Sequence, residues 1–392
     1  MLLSRRHFFF GSLALPALAA TKAVAERPNI LLLLADRLPS WILGCYGNSE
    51  VRTPALDRLA QTGLRFLNHF ACAPSPAPGR ATLLTGRTPM QLGEADAGSP
   101  GEVPLSKLFE GLGYACATAD SAAAAKSLDQ QAAGKPFFLT VDCAHLRPPY
   151  GGVPRKYRDL YAQVKFTTFS QEVPAKNAAV DKEMLSDLAG NQRLAAAAVT
   201  ALDDDVAALL SKVSEKNLLD QTLVIFTSTC GSLLGRHGLW DSAAASDPPN
   251  MYEEAVSTPL VWSWQGHVPP QLTRPELVSA YDLMPTLCEL TGAGLPARHL
   301  CGRSYLPLAT GKPLPKKQPW RTTVLSHYQN TDMARDKRYK LVLRDQGKGP
   351  GELYDLSADP RERVNQYENP QFVTVRTSLA ADLARWKQGY SA

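Results

Sequence analysis

The chain has 392 residues, 44% of them hydrophobic and 20% charged. That is enough to bury a large core, and it excludes a disordered tail, a collagen-like repeat, a disulfide-dense miniprotein and a multi-span membrane protein. The formal charge of +5 is uneven: residues 1–25 hold Arg5, Arg6 and Lys22 and no acid, so the near-neutral remainder gives no electrostatic case for nucleic-acid binding.

Ser4-Arg5-Arg6-His7-Phe8-Phe9-Phe10 opens an apolar run that reaches Ala20, and Ala23-Val24-Ala25 offers the small residues a signal peptidase requires. Residues 1–25 read as a twin-arginine export signal, cleaved or retained as an anchor, which makes the protein periplasmic. Asn29 to Ala35 is a continuous apolar run ending at Asp36, the pattern of a strand buried on both faces. Pro54 to Thr62 reads as a helix. Phe137–Val141 and Leu223–Thr227 repeat the buried-strand pattern. Between them Leu194, Leu202, Val206, Leu209 and Val213 recur at about helical spacing, within a helix over Arg193–Lys216.

Buried strands alternating with amphipathic helices predict an α/β fold, a doubly wound and mostly parallel sheet, over residues 26–312. Gly311-Lys312-Pro313-Leu314-Pro315 reads as a linker into a C-terminal subdomain over residues 313–392. That part is expected to hold short antiparallel strands at Thr322–His327 and Arg338–Arg344, a turn at 347–351 and a helix over Val373–Lys387. The seven cysteines are scattered and form no C-x-x-C pair, so they read as isolated thiols.

Several phrases occur in a fixed order: Arg27-Pro28-Asn29-Ile30 to Asp36, Gly44-Cys45-Tyr46-Gly47-Asn48, Thr53-Pro54-Ala55-Leu56-Asp57-Arg58-Leu59, and Pro78-Gly79-Arg80-Ala81-Thr82-Leu83-Leu84-Thr85-Gly86-Arg87. Gly235-Arg236-His237-Gly238-Leu239-Trp240, Tyr252-Glu253-Glu254, Arg338-Tyr339-Lys340-Leu341 and Glu352-Leu353-Tyr354-Asp355-Leu356 follow. Together they resemble the sulfatase family of the alkaline-phosphatase-like superfamily. The resemblance implies a site at the carboxyl ends of the central strands. It also implies a formylglycine nucleophile, made from Cys or Ser, and a divalent cation, usually Ca²⁺.

Measured against that pattern, the chain departs at most catalytic positions. The modification motif, Cys or Ser-x-Pro-x-Arg, reads Pro76-Ala77-Pro78-Gly79-Arg80. Proline has no thiol or hydroxyl to oxidise. Ser75 is one residue early and reads as a helix cap. The family's metal-binding pairs fall on Asp36-Arg37 and Thr229-Cys230, which leaves one carboxylate of three. No cofactor is therefore expected, and Arg37 is expected either to pair with Asp36 or to face solvent. The family's lysine and histidine positions become Ser121 and Ala123, and a later lysine becomes Ser242. The histidine of a Pro-His-x-Pro phrase falls on His145 or Arg147. Arg80 is retained, and His237 receives no proton-transfer role. The stretch from Ser121 to Phe137 is short where active relatives carry more chain.

These departures point to an exported sulfatase-like protein without catalysis, in a binding or structural role. Arg80, Arg37 and Arg147 are the candidate anion-binding residues for a sulfated or other anionic glycan. An accessory subunit of a membrane-associated protein complex is the other role. The alternative is a sulfuric-ester or related ester hydrolase with a reassigned nucleophile at Ser75, Thr229 or Cys230.

Overall fold

The computed structural model describes residues 27–93, 103–131, 134–296, 299–314 and 318–391; the expected export segment lies outside them. Seven strands form the main sheet: β1 (Asn29–Ala35), β2 (Leu64–Phe70), β3 (Ala115–Asp120), β4 (Phe137–Cys143), β5 (Thr222–Ser228), β6 (Leu260–Ser263) and β7 (Leu272–Ser279). Their order is β3-β4-β1-β5-β6-β2-β7. Neighbours are parallel except at β6, which runs antiparallel to both β5 and β2. The sheet is mixed, with its central strands parallel as expected.

The apolar run of β1 is explained by its two faces. Leu31, Leu33 and Ala35 enter one core, and Ile30, Leu32 and Leu34 enter another. On the first side lie α1 (Pro54–Gln61), α3 (Ser121–Asp129) and the 28-residue α4 (Leu188–Glu215). The second side is covered through Leu83, Phe109, Leu283 and Leu287, in a core that also takes in Leu379, Leu383 and Trp386 of the C-terminal helix α5 (Val373–Tyr390). The long helix starts five residues before the expected Arg193. Asp187, whose side chain accepts from the Gly190 N–H, supplies a cap upstream of the apolar periodicity.

Four strands form the second sheet, β8 (Val324–Tyr328), β9 (Thr331–Arg335), β10 (Tyr339–Arg344) and β11 (Glu352–Asp355), in the order β11-β10-β9-β8. All pairs are antiparallel. The two strands expected here are present but not adjacent, because β9 lies between them. Ser326 Oγ donates to the Ala71 carbonyl at 2.7 Å and the His327 N–H to the Cys72 carbonyl at 2.8 Å, tying β8 to the chain just before the site.

A buried charge network fastens the same junction. Lys340 on β10 is fully buried, and its Nζ donates to the Met251 carbonyl at 2.7 Å and to Glu253 at 3.1 Å, with Glu362 at 2.5 Å. Glu362 in turn accepts from the Glu253 N–H at 2.7 Å. Burial pushes the Glu362 carboxyl up to about 8, against the pull of Lys340. A carboxyl raised above its ordinary value of 4.5 contributes stability that is fully present below that value and is lost as pH rises through about 8. The slope that this carboxyl imposes on melting temperature is a fall as pH rises from 5 to 8, opposed up to about 6.5 by His69, which burial holds down at about 3. Glu362→Gln should flatten that slope while leaving stability near pH 5 little changed, which a series of thermal melts will read.

Candidate functional site

The carboxyl ends of β4, β1 and β5 lie side by side, so the residues just beyond them meet at one end of the sheet. β1 runs into Asp36 and Arg37, β5 runs into Thr229 and Cys230, and β4 carries Asp142 near its end. Above them sits α2 (Pro76–Thr85), which begins with Pro76 at a first-turn position where proline is well tolerated. Ser75 occupies the N-cap position, but its hydroxyl makes no capping bond, contrary to the role expected of it. Gly79 permits the close approach of this helix. A Cβ there would stand 2.3 Å from the Thr229 carbonyl and 3.0 Å from that of Ala73.

Asp36 is only 3% exposed. Its Oδ1 accepts from the Thr229 hydroxyl at 2.9 Å, and its Oδ2 accepts from Arg147 Nη2 at 2.6 Å. Arg37 neither pairs with Asp36 nor faces solvent, which corrects the expectation. Its backbone turns left-handed, with φ of 56°, and its Nε donates to Asp241 Oδ1 at 2.7 Å. Adjacent residues leaving a strand project apart, and Arg147 has taken the oxygen of Asp36 that a guanidinium would seek. Arg80 pairs with Asp142. Each of the three candidate anion-binding arginines is thus committed to a carboxylate, and the charges largely cancel.

The remaining positions divide. Ser121 opens α3, and its hydroxyl and His145 both hydrogen-bond Asp205 on α4, holding that carboxyl below its usual range. His145 Nε2 lies 3.2 Å from Asp205 Oδ2, while its Nδ1 is buried without a partner among the described residues. Ala123 is exposed on α3 and only caps through its N–H, which donates to Asp120. Ser242 is fully buried, and its hydroxyl also lacks a partner among the described residues. Burial pushes the Cys230 thiol up to about 12, with Asp241 adding to the effect, so thiolate is scarce at neutral pH. His237 stacks on Tyr252 with centroids 3.6 Å apart and sits 3.4 Å from Glu254.

Beside the ion pairs opens a cleft of about 610 Å³, whose lining includes His145, Arg147, Tyr150, Lys156, Tyr157 and Asp205. Sequence reasoning missed three acids of this region. Asp142 stands at a strand end, as Asp36 does, and the same rule marks it. Asp241 directly precedes Ser242. Asp205 sits in the acidic run 203–205 of a helix, where nothing local distinguishes it from its neighbours.

Residues 28–122 and 113–293 match the family model for sulfatases, and residues 235–389 match that for N-sulphoglucosamine sulphohydrolase, C-terminal. The chain belongs to the sulfatase family. It is 25% identical to the ulvan-active sulfatase of Formosa agariphila, over 94% of this chain and 82% of that relative. It is 28% identical to arylsulfatase A of Homo sapiens, over 89% and 85% of the two chains. A structure solved with its substrate D-glucosamine-2-N,6-O-disulfate matches with a TM-score of 0.80 at 19% identity, covering 93% of this chain and 98% of that one. The phosphonate monoester hydrolase of Agrobacterium radiobacter matches at 0.78 and 20% identity, over 93% and 96%. These two likenesses are of fold.

The sulfatase-family ion, Ca²⁺, takes roughly six to eight oxygen ligands. Asp36 is the one carboxylate left at the expected ligand positions, both of its oxygens are engaged, and two guanidinium groups stand close by. Among the described residues only His237, Glu254 and Glu362 bring three ligand atoms within 4.8 Å of one another. Arg236 and Lys340 already answer those carboxylates. The residues at the strand ends do not fit the ion.

Two outcomes test this geometry. Gly79→Ala normally adds helix propensity of about 1 kcal/mol, yet here it should lower the melting temperature because the methyl meets the Thr229 carbonyl. Cys230 should resist alkylation at pH 8 in the folded protein and react only after denaturation, as read by mass spectrometry of labelled peptides.

Proposed function

We propose that this sulfatase-family chain is exported, does not hydrolyse sulfate esters, and binds a sulfated or otherwise anionic glycan in the cleft beside Arg147. One observation carries the reading. The position that supplies the nucleophile in the family motif is Pro76, a side chain with no thiol or hydroxyl from which formylglycine could be made and no group that can attack sulfur. The surviving groups, Asp36 and Arg80, are engaged with Arg147 and Asp142. A single missing charge-stabilising donor lowers turnover by about 10²–10³-fold, and here nucleophile and cation ligands depart together.

The glycan class is supported by the cleft and by the relatives. Arg147 and Lys156 carry positive charge on the segment that lines the cleft, while the His145 imidazole is turned to Asp205. Arg147 spends one nitrogen on Asp36 and has its side chain 60% exposed, which leaves further N–H donors for an anion. A solved neighbour holds a disulfated glucosamine as its substrate, and one relative is active on ulvan. Export rests on the twin-arginine segment. A hydrolytic reading needs a base beside Ser75, Thr229 or Cys230. Thr229 donates to a carboxylate already held by Arg147, and Cys230 is buried as a thiol.

Calorimetric titration of the purified chain with D-glucosamine-2-N,6-O-disulfate and with ulvan oligosaccharides should show saturable binding that weakens with added salt. Lys156→Ala should lower the affinity about five-fold. No sulfate should appear over hours of incubation. Catalytic release of sulfate would overturn the loss of hydrolysis. Failure of every sulfated probe, with membrane proteins co-purifying instead, would shift the reading to the accessory-subunit role.

A further inference from the structure

Two buried carboxylates close the carboxyl end of the sheet, and each has its own guanidinium. Asp36 accepts from Arg147 at 2.6 Å, and Asp241, 5% exposed, accepts from Arg37 at 2.7 Å. The partners are far apart in sequence: Arg147 is 111 positions from Asp36, and Arg37 is 204 positions from Asp241. Neither pair is a local accident of helix or turn spacing. A carboxylate carried out of water must be compensated, and removing its partner leaves an uncompensated buried charge. A divalent cation can do this, but it dissociates. A guanidinium stays charged throughout the physiological range and cannot leave, because it is part of the chain.

We infer that Arg147 is a resident counter-ion that takes over the charge-compensating work of a bound divalent cation at Asp36, while Arg37 neutralises the buried Asp241. The strand ends then fold and hold their shape without Ca²⁺. The substitution also has a mechanical consequence. A guanidinium brings its own backbone with it, so the Arg147–Asp36 pair ties the wall of the cleft, from Ala144 to Tyr157, to the end of β1. The cleft wall is fastened by a covalent part of the protein whatever ligand the cleft receives.

A mutant cycle on the full chain tests this, using Asp36→Asn, Arg147→Met, Arg147→Lys and the Asp36→Asn/Arg147→Met double variant. Each protein is melted in EDTA and in millimolar CaCl₂. The wild type should melt at one temperature in both solutions and bind no stoichiometric Ca²⁺ by calorimetry. Arg147→Met should melt about 3 °C lower or more, and Arg147→Lys, which keeps the charge, should recover part of that loss. The double variant should be more stable than Arg147→Met, because an amide needs no counter-ion. If Arg147→Met does not fold, recovery of folded protein in the double variant gives the same support. Equal stability of Arg147→Met and wild type would overturn the inference, as would the absence of coupling in the cycle. So would a wild-type melt that rises with Ca²⁺ through one-to-one binding abolished by Asp36→Asn.

Discussion

A carboxylate held at the end of a parallel strand and almost closed to water must either be compensated or give up its charge, and Asp36 is compensated twice over. The Thr229 hydroxyl engages one oxygen, and the Arg147 guanidinium engages the other. That arrangement organises what surrounds it. Thr229 belongs to the segment leaving β5, so its bond repeats at the side-chain level the backbone bond from Thr229 N–H to the Ala35 carbonyl. Arg147 belongs to the loop that lines the cleft. Arg80 and Asp142 add a third pair, which fastens α2 to β4. The ends of β1, β4 and β5, the helix above them and the cleft wall are therefore held by charge pairs that nearly cancel.

Much of the fold can be read before any coordinates. β1 was legible because a strand buried on both faces leaves no polar position, and Ile30 to Leu34 divide alternately between two cores. The strand β9 was not. Thr331-Asp332-Met333-Ala334-Arg335 mixes charge with small residues, yet all five are buried. Asp332 lies there because His327 and Lys387 engage it, and Arg335 because it reaches Glu253 and covers the ring of Phe70. Such partners come from other strands and helices, and no periodicity within the segment announces them. β11 was missed for a related reason: its four residues are too few to show a pattern.

The site divides along the same line. Positions that the family pattern assigns, such as Pro76, Asp36 with Arg37, and Thr229 with Cys230, are legible by counting along the chain, because chemistry there depends on residue type. What those residues do now could not be counted. Arg37 turns to Asp241 rather than to its neighbour because its backbone is left-handed, and Arg147 reaches Asp36 across the fold. Ser75 sits where a capping serine is expected, but its hydroxyl makes no cap bond. Local rules assign a residue a menu of partners, and long-range geometry chooses among them.

The scaffold can outlast the chemistry proposed to have left it because its stability is stored elsewhere. Two extensive apolar cores flank the main sheet, and neither depends on the residues at the strand ends for its bulk. The join between the two sheets rests on Lys340, Glu253 and Glu362 and on the bonds that the Ser326 hydroxyl and the His327 N–H of β8 donate, all outside the cleft. Replacing a nucleophile by proline at the first turn of α2 meets no backbone objection, since proline is at home there. The cation is different, because deleting its ligands piecemeal would strand buried charge. Of the departures from the family pattern, only that one requires a compensating partner, and the partner found at Asp36 is Arg147.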